Sequence, residues 1–389
     1  MSFTVRLAAR AAIASAVLLS GAAVQAQSYT YSALDLGTLG GSSLTATALN
    51  NLGQVVGFST TASGATHAFM TGANGFGLTD LGTLGGTSSY AADINDAGQV
   101  VGRAERADGV VRAFSTGPGG TGMTDLGVLS GGTTSAATGI NNSGQIVGYS
   151  TTSTTSGAVT RAFSASSAGA ALVNLGSFSN PRPPYASYSM AQGLNDAGVV
   201  VGVAVEGCNC AAAGFTSQVG SSYISYVGAL NRAGNGSSAT AISASGQIVG
   251  YTNGFASGAP YRAFVTGANG VGVTDLGVLL GSGQSYANAI NSQGQVGGSF
   301  IPDGGTGLHG FITGLNGLNP VDINTLVAPS ADYYFTSVVG VNDAGQVLAL
   351  ASNNRSYLLS VGVVPEPGTW ALMGLGLIGV VAARRKRQG

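Results

Sequence analysis

The sequence predicts an all-β fold, a seven-bladed β-propeller closed by its N-terminal strand, and three features carry that expectation. A unit of four short apolar runs recurs seven times between Tyr29 and Ser360. Its period of about 45 to 54 residues is the length of a four-stranded blade. The chain also begins on one such run with no earlier unit to own it, and ends one run short.

The unit is clearest in residues 79–120. Its runs are Asp80–Leu84, Ala91–Asn95, Gln99–Gly102 and Val111–Phe114, each bounded by Gly, Ser, Thr, Asn or Asp. Each is too short for a helix, the pattern of brief strands and tight turns. One unit exposes too much apolar face to fold alone, so the copies must stack. They align on the turn after the second run, which starts at Asn50, Asn95, Asn141, Asn195, Ser243, Asn291 and Asn342. Asn there can bond its own backbone, and the Gly at the fourth place accepts a positive φ, as expected of Gly98, Gly144 and Gly294. We expect a hairpin between runs one and two. A run carrying Phe follows in six copies (Phe69, Phe114, Phe163, Phe215, Phe264, Phe311) and degenerates to Ser356-Tyr357-Leu358 in the last. Asp35, Asp80, Asp125, Asn174, Val227, Asp275 and Asp322 open the Asp-Leu-Gly strands. The strand Asp35–Leu39 fits the vacant outer place of the seventh blade, which would remove two exposed sheet edges. A β-solenoid of similar period is the alternative, with no reason for this permutation.

Residues 1–26 read as an export signal. Arg6 and Arg10 precede an apolar stretch, Ala11–Leu19, too short to span a bilayer, and Val24-Gln25-Ala26 supplies the small-residue cleavage end. Residues 27–361 form the repeat domain. Across 27–364 eight Arg stand against fourteen Asp and Glu, a net of −6, with no Lys. No basic patch is available for a phosphate backbone, which argues against nucleic acid. The recurrent Val, Ile, Leu and Phe argue for a packed core rather than disorder.

Residues 362–389 form a tail in three parts. Pro365, Glu366 and Pro367 precede fourteen apolar residues, Trp370–Ala383, and Arg384, Arg385, Lys386 and Arg387 end it. As a helix the apolar run is about 21 Å long, and with its flanks it can insert in the membrane, the basic cluster holding its end in the cytoplasm. By composition it is a transmembrane helix and could be a plain tail anchor. Its order resembles the PEP-CTERM sorting signal. That resemblance implies an exosortase substrate, cut near Pro365-Glu366-Pro367 at the inner membrane of a Gram-negative, exopolysaccharide-making bacterium. Placement on the cell surface or in the extracellular matrix follows as an expectation. The repeats, with Asp-Leu-Gly-Thr-Leu-Gly-Gly, Ile-Asn-x-x-Gly-Gln-Val-Val-Gly and His/Arg-Ala-Phe, resemble the HAF repeat of secreted bacterial proteins. The fit is best at 79–114 and 274–311 and weakest in unit four. The HAF family implies an exported location and supplies no activity.

A residue present in every unit is structural before it is catalytic, since one active site needs one copy. The repeated Asp therefore reads as a strand-start hydrogen-bonding group. His67 and His309 fill the slot of Arg112, Arg161 and Arg262, and are expected to lay a polar tip over the neighbouring Phe. No Ser-His-Asp set and no two-His metal spacing can be assembled. We expect no enzyme, cofactor or metal. Cys208 and Cys210 invite a strained disulfide, a bond to another chain, or two inert thiols. Tyr90, Tyr185, Tyr188, Tyr286, Tyr333 and Tyr334 fall between a Leu-Gly strand and the next Ile-Asn strand, connections that share one propeller face. With Arg182 they are the candidate ligand contacts, stacking on sugar or anchoring a protein partner. The plain reading is that each Tyr packs over its own blade. The expected function is a non-enzymatic surface or matrix protein that binds exopolysaccharide or a surface protein. The alternative is a propeller-type polysaccharide lyase or glycosidase, which needs paired carboxylates in the channel.

Overall fold

A computed structural model describes residues 30–362 apart from 155–156, 177, 179–187, 206–211, 228–235, 254–259, 281–282 and 329. The signal segment, the whole sorting tail from Pro365 to Arg387, Arg182, Tyr185, Cys208 and Cys210 lie outside the described residues. Residues 31–361 form one compact unit.

The described fold is all-β, with seven units of four antiparallel strands. Five form separate sheets; the units starting at Gly40 and Gly85 merge into one eight-stranded sheet through a single parallel bridge, Thr66 to Ser88. Among the described residues no sheet closes on itself. In the second unit the strands are Gly85–Ile94, Val100–Arg106, Val111–Thr116 and Met123–Asp125, each paired with the next. The first strands of the units touch one another in succession, and Phe335–Val341 of the last returns to Gly40–Leu49 of the first. The last unit takes its fourth strand from the other end of the chain, Thr30–Asp35 pairing with Ser356–Gly362. Arg355 binds Asp35 across this junction at 2.7 Å.

Three details differ from the sequence reading. The tight turn joins the second and third apolar runs, not the first and second: Asn95 to Gly98 connects Gly85–Ile94 to Val100–Arg106. The Asp of the Asp-Leu-Gly run ends its strand rather than opening it, and the N-terminal strand correspondingly lies upstream of Asp35. The cause is local. The Asp80 carboxylate accepts the backbone N–H of Gly82, whose φ of +73° turns the chain out of the sheet. Lastly, His67 and His309 do not cover the Phe that follows them. Their Nδ1 atoms meet Asp80 and Asp322 at 2.8 and 2.7 Å, as Arg262 meets Asp275 at 3.0 Å. At these three positions the basic residue of His/Arg-Ala-Phe ties the third strand to the fourth, whereas Arg112 and Arg161 donate to backbone carbonyls.

The core explains why Phe and Gly recur together. All six repeat Phe side chains are fully buried. Each sits directly across the ladder from a Gly of the second strand, as Phe114 does from Gly102. A Cβ on Gly102 would lie 2.1 Å from the Tyr90 carbonyl oxygen and 2.9 Å from the Phe114 ring. The ring fills the space that glycine leaves open. In the seventh unit both partners change, to Ala349 and Tyr357. A buried Ser staples neighbouring units: Ser89 Oγ accepts the Ala68 N–H and donates to the Gly82 carbonyl.

Candidate functional site

Seven tight turns converge on one hollow of about 210 Å³, to which every repeat contributes. In four turns, those led by Asn50, Asn95, Asn141 and Asn291, the leading Asn makes four bonds, shown by Asn95. Its Oδ1 accepts the N–H groups of Ala97 and Gln99, and its Nδ2 donates to Gln99 Oε1 and to the carbonyl of Asn141 in the next repeat. The same inter-repeat bond runs from Asn50 to Asn95, Asn141 to Asn195, Asn195 to Ser243 and Asn291 to Asn342. Asn342 donates to the Asn50 carbonyl at 3.1 Å, linking the last repeat to the first. The circuit breaks once, because the Ser243 hydroxyl lacks the reach of an amide. Gly98, Gly144 and Gly294 in these turns have φ of +72°, +76° and +76°.

At the next turn position carboxylate and amide alternate over five of the seven turns, Asp343, Asn51, Asp96, Asn142 and Asp196, with Ala244 and Ser292 in the other two. Asp96 accepts from the backbone N–H and Nδ2 of Asn51 and from Nδ2 of Asn142. Asp196 accepts from Asn142, and Asp343 from the Ser292 N–H. Amides between the carboxylates give each a donor and keep like charges apart. These are structural contacts, and they use the carboxylates.

Asp93 departs from the repeat. Its place is held by Ala48, Gly139, Gly193, Ala241, Ala289 and Gly340 in the other units. One oxygen accepts the Ile94 N–H and the other the Ile140 N–H, bridging repeats two and three. Desolvation pushes its pKa up to about 6, against the lowering effect of those two bonds.

A second cavity, about 340 Å³, is built by repeats one to three. Phe58, Tyr90 and Tyr149 supply its rings and Thr47 and Thr138 its hydroxyls. Phe58 meets Tyr90 edge-on at 5.0 Å, and the Arg103 guanidinium lies 4.8 Å from the Tyr90 centroid.

The candidate tyrosines do not occupy equivalent connections. Tyr90 and Tyr286 do share one position, but inside their first strands, opposite Arg103 and Ser299. Tyr286 joins Tyr251 at 5.0 Å. Tyr188 is exposed and opens its strand two residues before the matching position, held by Met190. Tyr333 lies before the last unit's first strand, stacked on Tyr357 at 4.6 Å over the core, where burial raises its pKa. Tyr334, exposed, lies 5.3 Å from His309. The difference arises because the Leu-Gly strand ends early and the next strand starts early, which draws Tyr90 and Tyr286 into the sheet. Sequence reasoning missed Phe58, Arg103 and Tyr149. They sit on second strands, and only the cross-strand register brings them beside Tyr90.

Residues 363–387 match the PEP-CTERM protein-sorting motif. That motif implies export through the inner membrane, transient anchoring there and sorting by an exosortase. No curated protein matches the chain. Among solved structures it is similar to a prolyl endopeptidase from work on inter-domain dynamics in catalysis and specificity, at 12% identity and a TM-score of 0.53, covering 92% of this chain and 55% of that one. It is similar also to the acylaminoacyl peptidase of Pyrococcus horikoshii, at 9% identity and a TM-score of 0.53, covering 88% and 55%. The chain spans about half the length of both. Such neighbours are propeller-like, and the likeness concerns the fold alone.

Proposed function

We propose that this chain is an exported, non-enzymatic surface or matrix protein that binds polysaccharide, its HAF-like repeats forming a seven-bladed propeller closed by the N-terminal strand. The ring-lined cavity of repeats one to three carries the reading. Phe58, Tyr90 and Tyr149 present partly exposed aromatic surface in a concavity of ligand size, suited to the apolar faces of sugars. The pairing of Thr30–Asp35 with Ser356–Gly362 and the bond from Asn342 to Asn50 support the closed ring. The sorting motif supports a place outside the inner membrane, where polysaccharide is met.

A lyase or glycosidase would draw on Asp93, whose raised pKa suits a proton donor. Both its oxygens are held by backbone N–H groups, which fits a tether between repeats better. A glycan array probed with the full chain, with product release followed in parallel, tests the proposal. Retention of one or more polysaccharides without cleavage is the expected result. Release of shortened or unsaturated products would overturn the non-enzymatic reading, and failure to bind any glycan would overturn the binding one.

A further inference from the structure

The cavity of repeats one to three holds one charge that the fold does not require. Arg103 stands on the second strand opposite Tyr90. At the matching position the other repeats carry Phe58, Tyr149, Val203, Tyr251, Ser299 and Leu350, all uncharged. The packing of this position is therefore satisfied six times without a cation.

The other described arginines have work to do. Arg355 binds Asp35, Arg262 binds Asp275, and Arg106 binds Asp108 and Asp125. Arg112 and Arg161 donate to the carbonyls of Thr133 and Thr160. Arg103 has no hydrogen bond or ion pair among the described residues; its contact is the Tyr90 ring, 4.8 Å from the centroid. A guanidinium laid on an aromatic face keeps its in-plane N–H donors for another group, and its planar fork matches a carboxylate. No acidic side chain lines this cavity among the described residues, and the nearby Asp93 turns its oxygens to the Ile94 and Ile140 amides. The Phe58 edge against Tyr90 braces the platform on which Arg103 rests.

We propose that this cavity is a subsite for an acidic sugar, a uronate ring of a polysaccharide, with its carboxylate on Arg103 and its apolar face on Phe58 and Tyr149. This rests on the polysaccharide-binding reading and narrows it to carboxylated chains. Rings give affinity for any sugar, while the arginine selects the charged one.

The test compares tetragalacturonate and tetramannuronate with their methyl esters and with neutral maltotetraose, by titration against the full chain in detergent at physiological salt. The ester removes the charge and leaves the rings. At least one free acid should bind at least tenfold more tightly than its ester, as a charge-assisted bond predicts. Arg103→Gln should erase that preference by weakening the acid far more than the ester, and Arg103→Lys should restore part of it. Tyr149→Ala should weaken acid and ester alike. Binding of esters or maltotetraose as tight as the acids, or a preference that survives Arg103→Gln, would overturn the subsite and leave the polysaccharide reading standing. Should no oligosaccharide of either kind bind, the subsite falls, and the glycan array decides the broader reading. Arg103 is exposed, so an unchanged melting temperature in Arg103→Gln is the control for folding.

Discussion

Replacing Asp93 by Asn should change the pH dependence of stability more than stability itself. In the folded chain the carboxyl titrates at about 6, against an ordinary value of 3.8. The raised value means that the fold favours the protonated form. Between pH 4 and 6 the native state therefore binds more protons than the unfolded chain, and stability falls as pH rises. A shift of about two units corresponds to about 3 kcal/mol between the protonated and ionised limits. Asn mimics the neutral form, but its Nδ2 meets one of the N–H donors of Ile94 and Ile140, a loss of about 1–3 kcal/mol that does not depend on pH. The informative quantity is thus the difference between variant and parent at pH 8 minus that at pH 4, in which the constant loss cancels. At an unfolding entropy of about 0.7 kcal/mol/K for some 330 residues, 3 kcal/mol is about 4 °C in melting temperature. Differential scanning fluorimetry of both proteins from pH 4 to 8 reads it, and the variant should gain on the parent by that amount as pH rises. A constant offset across the range would show that Asp93 is not held in a desolvated place, and would refute the reasoning.

Four other outcomes test the architecture. Gly102→Val should destabilise by about 3 kcal/mol, because a Cβ there meets the Tyr90 carbonyl oxygen and the Phe114 ring; a change below 1 kcal/mol in denaturant titration would contradict the Gly–Phe coupling. Deleting residues 27–40 removes the strand paired with Ser356–Gly362 and the buried Leu36, so melting should fall by several degrees, and unchanged melting would sink the N-terminal closure. Ser243→Asn should complete the circuit of inter-repeat bonds by reaching the Asn291 carbonyl and add about 1 kcal/mol; no gain in melting temperature would show the bonds to be incidental. In a host with an exosortase, mass spectrometry should place the mature C-terminus between Val364 and Gly368, whereas an intact Gly389 would favour a simple anchor.

Much of the fold is legible in the chain because local rules repeat seven times. Asn and Gly at the first and fourth turn positions of six turns, a Phe in six of the seven third strands, and a run missing at the C-terminal end needed no knowledge of distant contacts. The sorting motif is legible for the same reason, its three parts being contiguous in residues 363–387. What the sequence could not decide depends on register and on neighbouring repeats. That Asp80 ends its strand follows from its local bond to the Gly82 amide, but its pairing with His67 on the adjacent strand is a matter of register. That Tyr90 and Tyr286 are equivalent while Tyr188 and Tyr333 are not depends on where each first strand starts. The cavity was hidden for a stronger reason. Phe58, Arg103 and Tyr149 are about 45 residues apart in sequence, and only the packing of three repeats sets them side by side. A side chain's local sequence determines its strand, but its neighbours across repeats are chosen by how one repeat packs on the next.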